Sequence, residues 1–523
     1  MYQFTGKLKI LAVALMVIGL LGTAWSFMTT PSSLKEAKEI IAKQEAHHGG
    51  HSKADTHGEV TTHHEEKAES TEAHGDTNHK EEVTSNSHND AKHAEEVKDT
   101  THASASTNKE VTKQTHKAEE TTHHKVASED SHASSHNDDH HAEHVFHQMQ
   151  NRPWSAFYVA MLFFLGVTLL VFAFYVSQRV ANAGWSIVLF RVMEAITNNL
   201  HYVSGFMLVF IILTVMHKSH LFPWMAEGIF DPLSDNYDPI IDGKKWFMNL
   251  PGWAIRSVIY LLGWNIFRFI IRKKSIQQDN GDLKLHKNLY NIGVGFIVFF
   301  MISESMMSWD WIMGIDPHWF STLFGWYVLA TFLVSALTVI AIVTIYLRSK
   351  GALPFVNDSH IHDLVKFMFG FSVFWTYLWF AQFMLIWYAD MPEETTYFAQ
   401  RFNEYKLPFL LMVVLNFIFP VLLLINSDFK SIPWLVIIGG VVILIGHYID
   451  LFVMIMPGTV GGQWGFGIGE ISGILFFIGL FIFATFSAFA KVNPLAKGSP
   501  FLHESETHHY YNIEHRGEDS NHH

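Results

Sequence analysis

The hydrophobic residues of this 523-residue chain are gathered in runs of about 20 residues, the length that an α-helix needs to cross a membrane. Only 16% of the residues are charged, which is fewer than a soluble domain of this size carries. The ten runs are Leu8–Met28, Trp154–Val176, Met193–Met216, Pro251–Ile271, Asn288–Met307, Thr322–Leu347, Asp363–Tyr388, Leu407–Ile425, Pro433–Met456 and Ile468–Ala490. The sequence therefore predicts an all-α integral membrane protein with about ten transmembrane helices.

Residues 29–150 interrupt this pattern with a long polar segment that is rich in Glu, Lys, Ser and Thr and has no apolar periodicity. It holds 20 of the 34 histidines. Such a segment buries too little apolar surface to offset the entropy cost of ordering, so we expect it to be disordered, with a short helix at Ser32–Glu45. Its histidines could bind zinc, copper or nickel weakly or buffer protons, or the segment could be a tolerated hydrophilic insertion.

The positive charges indicate which side of the membrane each loop occupies. With ten spans both termini lie on one side, and Lys and Arg are concentrated in the loops on that side. The short loops on the other side carry only Lys218, Lys244, Lys245, Arg401 and Lys406. The positive-inside rule therefore predicts cytoplasmic termini and a periplasmic His-rich segment. The first run could also be a secretory signal peptide, but its length favours a retained helix over residues 1–28.

The chain contains no cysteine, which limits its redox chemistry. It can form no disulfide, attach no c-type haem and hold no Cys-ligated iron–sulfur cluster of its own. Within the predicted spans only His201 and His447 could ligate a haem, and they lie at different depths. No span clusters the ligands that copper or zinc requires. We therefore expect neither a metal site nor a covalently bound cofactor.

Eight ionisable residues lie inside the predicted spans or at their ends, where a charge is costly and usually has a function. They are Glu194, His201, Glu304, Asp363, Lys366, His447, Asp450 and Glu470. We interpret them as an inner and an outer half-path for protons, in which His447 and Asp450 can reach each other at i, i+3. The alternatives are polar groups that only pack the bundle and, for Glu470 and for Asp363 beside Lys366, solvated helix ends.

A tryptophan-rich turn separates the fifth and sixth runs and includes Trp309, Asp310, Asp316 and Trp319. Tryptophan at this density is typical of a membrane–water boundary, where the ring lies in the apolar region and the N–H among the headgroups. We expect Asp310 and Asp316 to face water there. Glu304 lies deeper in the apolar run, so we expect it to face the protein interior.

Two stretches resemble a known family. Ser308–Tyr327 reads SWDWIMGIDPHWFSTLFGWY, and His362–Tyr397 reads HDLVKFMFGFSVFWTYLWFAQFMLIWYADMPEETTY. Both are similar to the ActF membrane component of alternative complex III, the bacterial quinol:cytochrome c oxidoreductase, which belongs to the NrfD-like family. The resemblance covers roughly Trp154–Ala490 and leaves out the His-rich segment.

The resemblance implies a multi-pass protein of the bacterial inner membrane whose inner eight helices form two four-helix bundles, with peripheral helices beside them. Its domains would be the first helix, the polar segment 29–150, an NrfD-like nine-helix domain at 151–491 and a cytoplasmic tail at 492–523. Its partners would be a homologous quinol-binding subunit, iron–sulfur and c-type cytochrome subunits, and a terminal oxidase. Quinone or menaquinone would bind mainly in the neighbouring subunit, and this subunit would support proton transfer or assembly without a redox centre.

Two other functions fit the sequence. A His-rich loop between spans is common in zinc-type metal transporters, although no predicted span carries paired His and Asp ligands at i, i+4. A purely structural membrane subunit without an ion path is the second alternative.

Overall fold

The computed structural model describes residues 2–40, 130–281 and 283–509, with side chains from residue 142 onward in the second of these ranges. Within them, ten helices are long and apolar enough to cross a membrane. Numbered along the chain as spans 1 to 10, they are Gly6–Met28, Ala142–Val180, Gly184–Val215, Leu250–Gln278, Leu283–Ile315, Phe324–Ser349, Asp358–Ala389, Lys406–Leu424, Pro433–Val460 and Ile468–Phe489. These ten helices confirm the prediction of a multi-pass all-α protein.

The helix of span 2 begins well before the predicted boundary at residue 151. It runs from Asp130 to Val180 with Pro153 inside it, so the prediction of a disordered segment up to residue 150 is wrong at that end. A helix that is already nucleated extends cheaply, because each added residue gains one hydrogen bond. Ala142 and Val145 are also buried on this extension. At the other end of the segment, residues 34–40 are helical, within the short helix predicted at Ser32–Glu45. Residues 41–129 lie outside the described residues.

Two spans depart from regular α-helix. Span 3 consists of a 3₁₀ turn at Gly184–Leu189 and two α-helices at Phe190–Ile196 and Asn199–Val215. The sequence pattern predicts an interfacial connector at 178–191, but only residues 181–183 lie between spans 2 and 3, because the helices take up both of its ends. Span 8 has a π-helical segment at Val414–Ile418. Pro420 follows it and cannot donate a backbone hydrogen bond to the preceding turn, which is a common cause of such a distortion.

Span 2 lies at the centre of the molecule, because 94% of its apolar 18-residue stretch is buried. Span 6 is the next most buried, at 78%. Span 6 packs against spans 5, 7 and 9, while span 4 packs against span 5, and span 9 against span 8. Side chains on the inner faces of these helices therefore meet helices from distant parts of the chain. The grouping into two four-helix bundles stays a prediction.

Span 1 packs along span 10 through small residues. A Cβ atom at Gly19 would lie 2.4 Å from the backbone nitrogen of Phe476, and one at Gly479 would lie 2.6 Å from the carbonyl oxygen of Ala12. The hydroxyls of Thr23 and Ser472 are 3.3 Å apart. Glycine allows two helix backbones to approach this closely in a membrane, where packing rather than hydrophobicity holds helices together. Only 11% of the apolar 18-residue stretch of span 1 is buried, so the side of this helix that faces away from span 10 is exposed.

Candidate functional site

Asp450 is the acceptor at the centre of a polar cluster between spans 6, 7 and 9. It accepts hydrogen bonds from the Tyr327 hydroxyl, from the Thr331 hydroxyl at 2.8 Å and from the Trp375 indole at 2.9 Å. Tyr327 and Thr331 are four residues apart, which puts both on one face of span 6. Asp450 is fully buried, and its basic neighbour among the described residues is an imidazole rather than a Lys or Arg.

That imidazole belongs to His447, one turn earlier on span 9. Its Nδ1 lies 3.7 Å from the Asp450 carboxylate, which is close but longer than a hydrogen bond. Both ring nitrogens are buried and have no hydrogen-bond partner among the described residues. The predicted proximity of His447 and Asp450 is therefore confirmed, and the imidazole has unused capacity for hydrogen bonds.

Glu304 lies on the buried side of span 5, as its depth predicted, and its side chain is 1% exposed. Its Oε1 accepts no hydrogen bond from any described residue. The nearest neighbour in sequence, Ser303, instead accepts a hydrogen bond from the indole of Trp264 at 2.8 Å. Most buried polar atoms have a partner, so a carboxyl oxygen without one in a protein interior calls for an explanation.

Glu194 lies at the other end of the membrane part in a cluster of arginines. Its carboxylate accepts hydrogen bonds from Arg191 at 2.6 Å, from Arg272, and from the hydroxyls of Tyr175 and Ser275 at 2.5 Å. Arg179 is 3.8 Å away. The sequence identified Glu194, but it placed the arginines in loops. In the folded protein the ends of spans 2, 3 and 4 come together, and these arginines surround one carboxylate.

Asp363, at the start of span 7, holds the chain segment that follows span 10. It is 2.8 Å from the Lys366 ammonium and 2.7 Å from His508 Nε2. The same segment is fixed by a contact of 2.9 Å between His360 and the Ser505 carbonyl. Lys366 is 40% exposed and Asp363 is 16% exposed, so this pair lies at a boundary rather than in the core. This arrangement fits the predicted i, i+3 pair at a helix start.

The two remaining predicted residues differ in their exposure. Glu470 is buried and receives a hydrogen bond of 2.9 Å from Arg152, so it is not the solvated group that was one of its alternatives. His201 is exposed on span 3 beside Tyr202, which does not fit its interpretation as part of a proton path through the interior. A hydrophobic run predicts that a residue lies within a span, but it does not determine which way the helix face points.

Asp310 was expected to face water and instead is buried. Arg256 binds it with two hydrogen bonds of 2.6 and 2.9 Å, and the Tyr260 hydroxyl donates a third at 2.9 Å. The indole of Trp253 donates to the Asp310 carbonyl at 3.0 Å. Arg256, an arginine inside an apolar run, was the signal for such a partner, because a charge at that depth requires one.

The two stretches that carry the family resemblance meet outside the spans. Trp319 stacks on Tyr397 with ring centres 3.9 Å apart, and the Arg401 guanidinium lies 3.3 Å from the Tyr397 ring centre. Burial raises the pKa of Asp316 in this region, and the nearby Arg401, His318 and Lys244 offset this only in part. The ionised form of Asp316 is therefore disfavoured in the folded protein.

Asp316→Asn is expected to raise the melting temperature at pH 7 and to leave it unchanged near pH 3. The raised pKa means that the wild type loses stability as the pH rises above the unfolded value of about 3.9. Asparagine imitates the protonated acid and removes that loss. Thermal unfolding at both pH values measures the difference. Asp235→Asn, at an exposed acid in the same outer region, is the control and should change neither value.

No protein-family model matches this sequence, and no curated protein is significantly similar to it. Among the described residues, no group of three or more His, Cys, Asp or Glu side chains is arranged to hold a metal ion.

Proposed function

We propose that this chain is an integral membrane subunit of a respiratory quinol oxidoreductase of the alternative complex III type, and that its buried acids carry protons. The resemblance of Ser308–Tyr327 and His362–Tyr397 supports the class of complex. The observation that carries the mechanism is the burial of Glu304 and of the Asp450–His447 pair without a Lys or Arg partner among the described residues. Groups of this kind in a membrane protein usually have a function.

The buried acids fall into two groups according to whether an arginine binds them. Acids bound to arginine stabilise the fold, and acids without such a partner can carry protons. Glu194, Asp310 and Glu470 are each bound to at least one arginine. A proton could reach them only by breaking a buried ion pair, which is costly. Glu304 and Asp450 can take up and release a proton without doing so. The His447 imidazole lies beside Asp450 and offers a second group to the same path.

The carriers and the paired acids therefore have different roles in this proposal. Glu304 on span 5 and Asp450 on span 9 supply the half-path near the periplasmic side, and His447 extends it toward the membrane centre. Asp363 with His508 is the candidate entry on the cytoplasmic side, because both side chains are partly exposed. The Glu194 cluster holds spans 2, 3 and 4 together at that end and contributes stability rather than transfer.

Glu304→Gln in the native complex is expected to lower proton-coupled quinol oxidation by on the order of 100-fold, the low end for loss of a positioned proton-transfer group. Glutamine keeps the shape of the side chain, so the complex should remain assembled. Turnover and proton release per quinol are measured on the purified complex. Ser305→Ala is the matched control, because among the described residues the Ser305 hydroxyl bonds only to the Met301 carbonyl of its own helix.

Full turnover and unchanged proton release in both Glu304→Gln and Asp450→Asn would overturn the carrier role and leave a structural subunit. Identification of the co-purifying chains tests the class of complex separately. Multihaem and iron–sulfur proteins are expected among them. Tight zinc binding that is lost on deleting residues 47–147, with no such partners, would instead indicate a metal transporter.

A further inference from the structure

A cleft of about 570 Å³ opens between the start of span 3 and the first turns of span 7. Its apolar wall consists of Trp185, Phe367, Phe371 and Phe374. Its volume lies within the range of about 300–1,000 Å³ that is usual for small-molecule sites. The cleft is separate from Glu304 and from the Asp450 cluster, and it shares only Asp363, the candidate proton entry, with the path described above.

Three rings of the wall are nearly parallel. Trp185 and Phe367 are 5.8 Å apart with 19° between their planes, and Phe367 and Phe371 are 6.4 Å apart with 16° between theirs. Aromatic pairs in a packed core often meet edge to face instead. A stack of aromatic rings can be extended by one more flat ring, so this wall suits a ligand that contains one.

Gly370 forms the floor of the cleft in the middle of the span 7 helix. A Cβ atom there would have no heavy atom within 4 Å, so no packing contact requires glycine at this position. Glycine in a helix interior is less favourable than alanine. Because Gly370 has no side chain, the space between the four surrounding aromatic side chains stays open.

The end of the cleft nearer the helix start is polar. Asp363 and Lys366 line it and are 2.8 Å apart, so the lining carries one negative and one positive charge. His508 Nε2 contacts the same carboxylate at 2.7 Å. This end therefore offers both hydrogen-bond donors and acceptors without an unbalanced charge. Such an end suits a neutral head group that has its own oxygen donors or acceptors better than it suits a phosphate.

We propose that this cleft binds the ring of a quinone or hydroquinone, with its isoprenoid tail in the lipid beside span 7. The ring stacks on Phe367 and Phe371 above Gly370, and a ring oxygen meets Asp363 or Lys366. The choice of a quinone among flat neutral amphiphiles rests on the proposed function. The site adds a quinone to this chain itself, near its predicted cytoplasmic side, beyond the one implied for the neighbouring subunit.

Photolabelling of the native complex with an azido-quinone tests this site. The wild-type chain should be labelled within residues 363–374, and Gly370→Phe should lower that label at least fivefold by filling the cleft. Gly370→Ala adds one methyl group and should keep the label. Val373→Phe adds a ring to the same helix outside the cleft lining and should also keep it, since Val373 is 41% exposed.

The proposal is overturned if the wild-type segment is not labelled, if Gly370→Phe and Val373→Phe lower the label equally, or if Gly370→Phe leaves it unchanged. Loss of a co-purifying phospholipid, rather than of the quinone label, in Gly370→Phe would identify a lipid site and also overturn it. Labelling does not depend on turnover. Failure of the Glu304→Gln experiment therefore leaves this result standing, and failure here leaves the carrier role of Glu304 untouched.

Discussion

Glu194→Gln is expected to lower the free energy of unfolding by about 3–5 kcal/mol, the usual cost of removing one partner from a buried ion pair. Arg191 is 1% exposed and Arg272 is 15% exposed, so neither guanidinium can recover the lost interaction from water. Asp279, which contacts Arg191 at 2.6 Å, compensates only one of the arginines. Unfolding of the purified protein in mixed detergent micelles measures the loss.

Asp242→Asn provides the comparison for this variant. Asp242 pairs with Lys245 at 3.8 Å, and both side chains are at least one-third exposed. A surface pair contributes no more than about 1 kcal/mol, so this variant should remain close to the wild type. Equal losses in the two variants would show that the Glu194 cluster does not behave as a buried ion-pair network.

Gly19→Leu is expected to separate span 1 from span 10. The position of the new Cβ is within 2.6 Å of backbone atoms of Phe476 and Ser472, and a backbone cannot move aside as a side chain can. The chain lacks native cysteine, so a Thr23→Cys, Ser472→Cys pair reports the contact as a single disulfide. The two native hydroxyls are 3.3 Å apart, and the pair should crosslink readily in the Gly19 background.

Crosslinking should fall by at least tenfold when Gly19→Leu is added to the cysteine pair. Gly6→Leu is the matched control on the same helix, because a Cβ at Gly6 meets nothing within 4 Å. Equal crosslinking in the two backgrounds would mean that the small-residue contact does not hold span 1. A retained and docked first helix, rather than a cleaved signal peptide, is a condition for any crosslink to form.

The positions of all ten spans could be predicted from hydrophobic runs, because the length of a membrane-crossing helix follows from the thickness of the bilayer. The start at Asp130 could not, since residues 130–150 are polar and become helical by extension of span 2. The break in span 3 between Ile196 and Asn199 could not be predicted either, because no Pro or Gly occurs there. Local composition gives the spans, and contacts made elsewhere in the chain set their ends.

The candidate site was predictable in depth but not in direction or partner. Glu304 and Asp450 are buried as their depth indicated, whereas His201 points outward although it too lies within a span. The partner of Asp310 lies 54 residues earlier on another helix, so no local pattern joins it to Arg256. Tyr327 and Trp375 reach Asp450 from spans 6 and 7 for the same reason. Such pairs depend on how helices rotate about their axes, which a single sequence does not reveal.

Span 4 binds carboxylates near both of its ends, through Arg256 to Asp310 and through Arg272 to Glu194. These arginines are about 24 Å apart along the helix axis at 1.5 Å per residue. A piston-like shift of span 4 would break both attachments at once, whereas a small tilt about either one would not. The two ion pairs therefore fix the position of span 4 along its own axis. A conformational change in this protein can tilt span 4, but it cannot translate the helix without breaking both ion pairs.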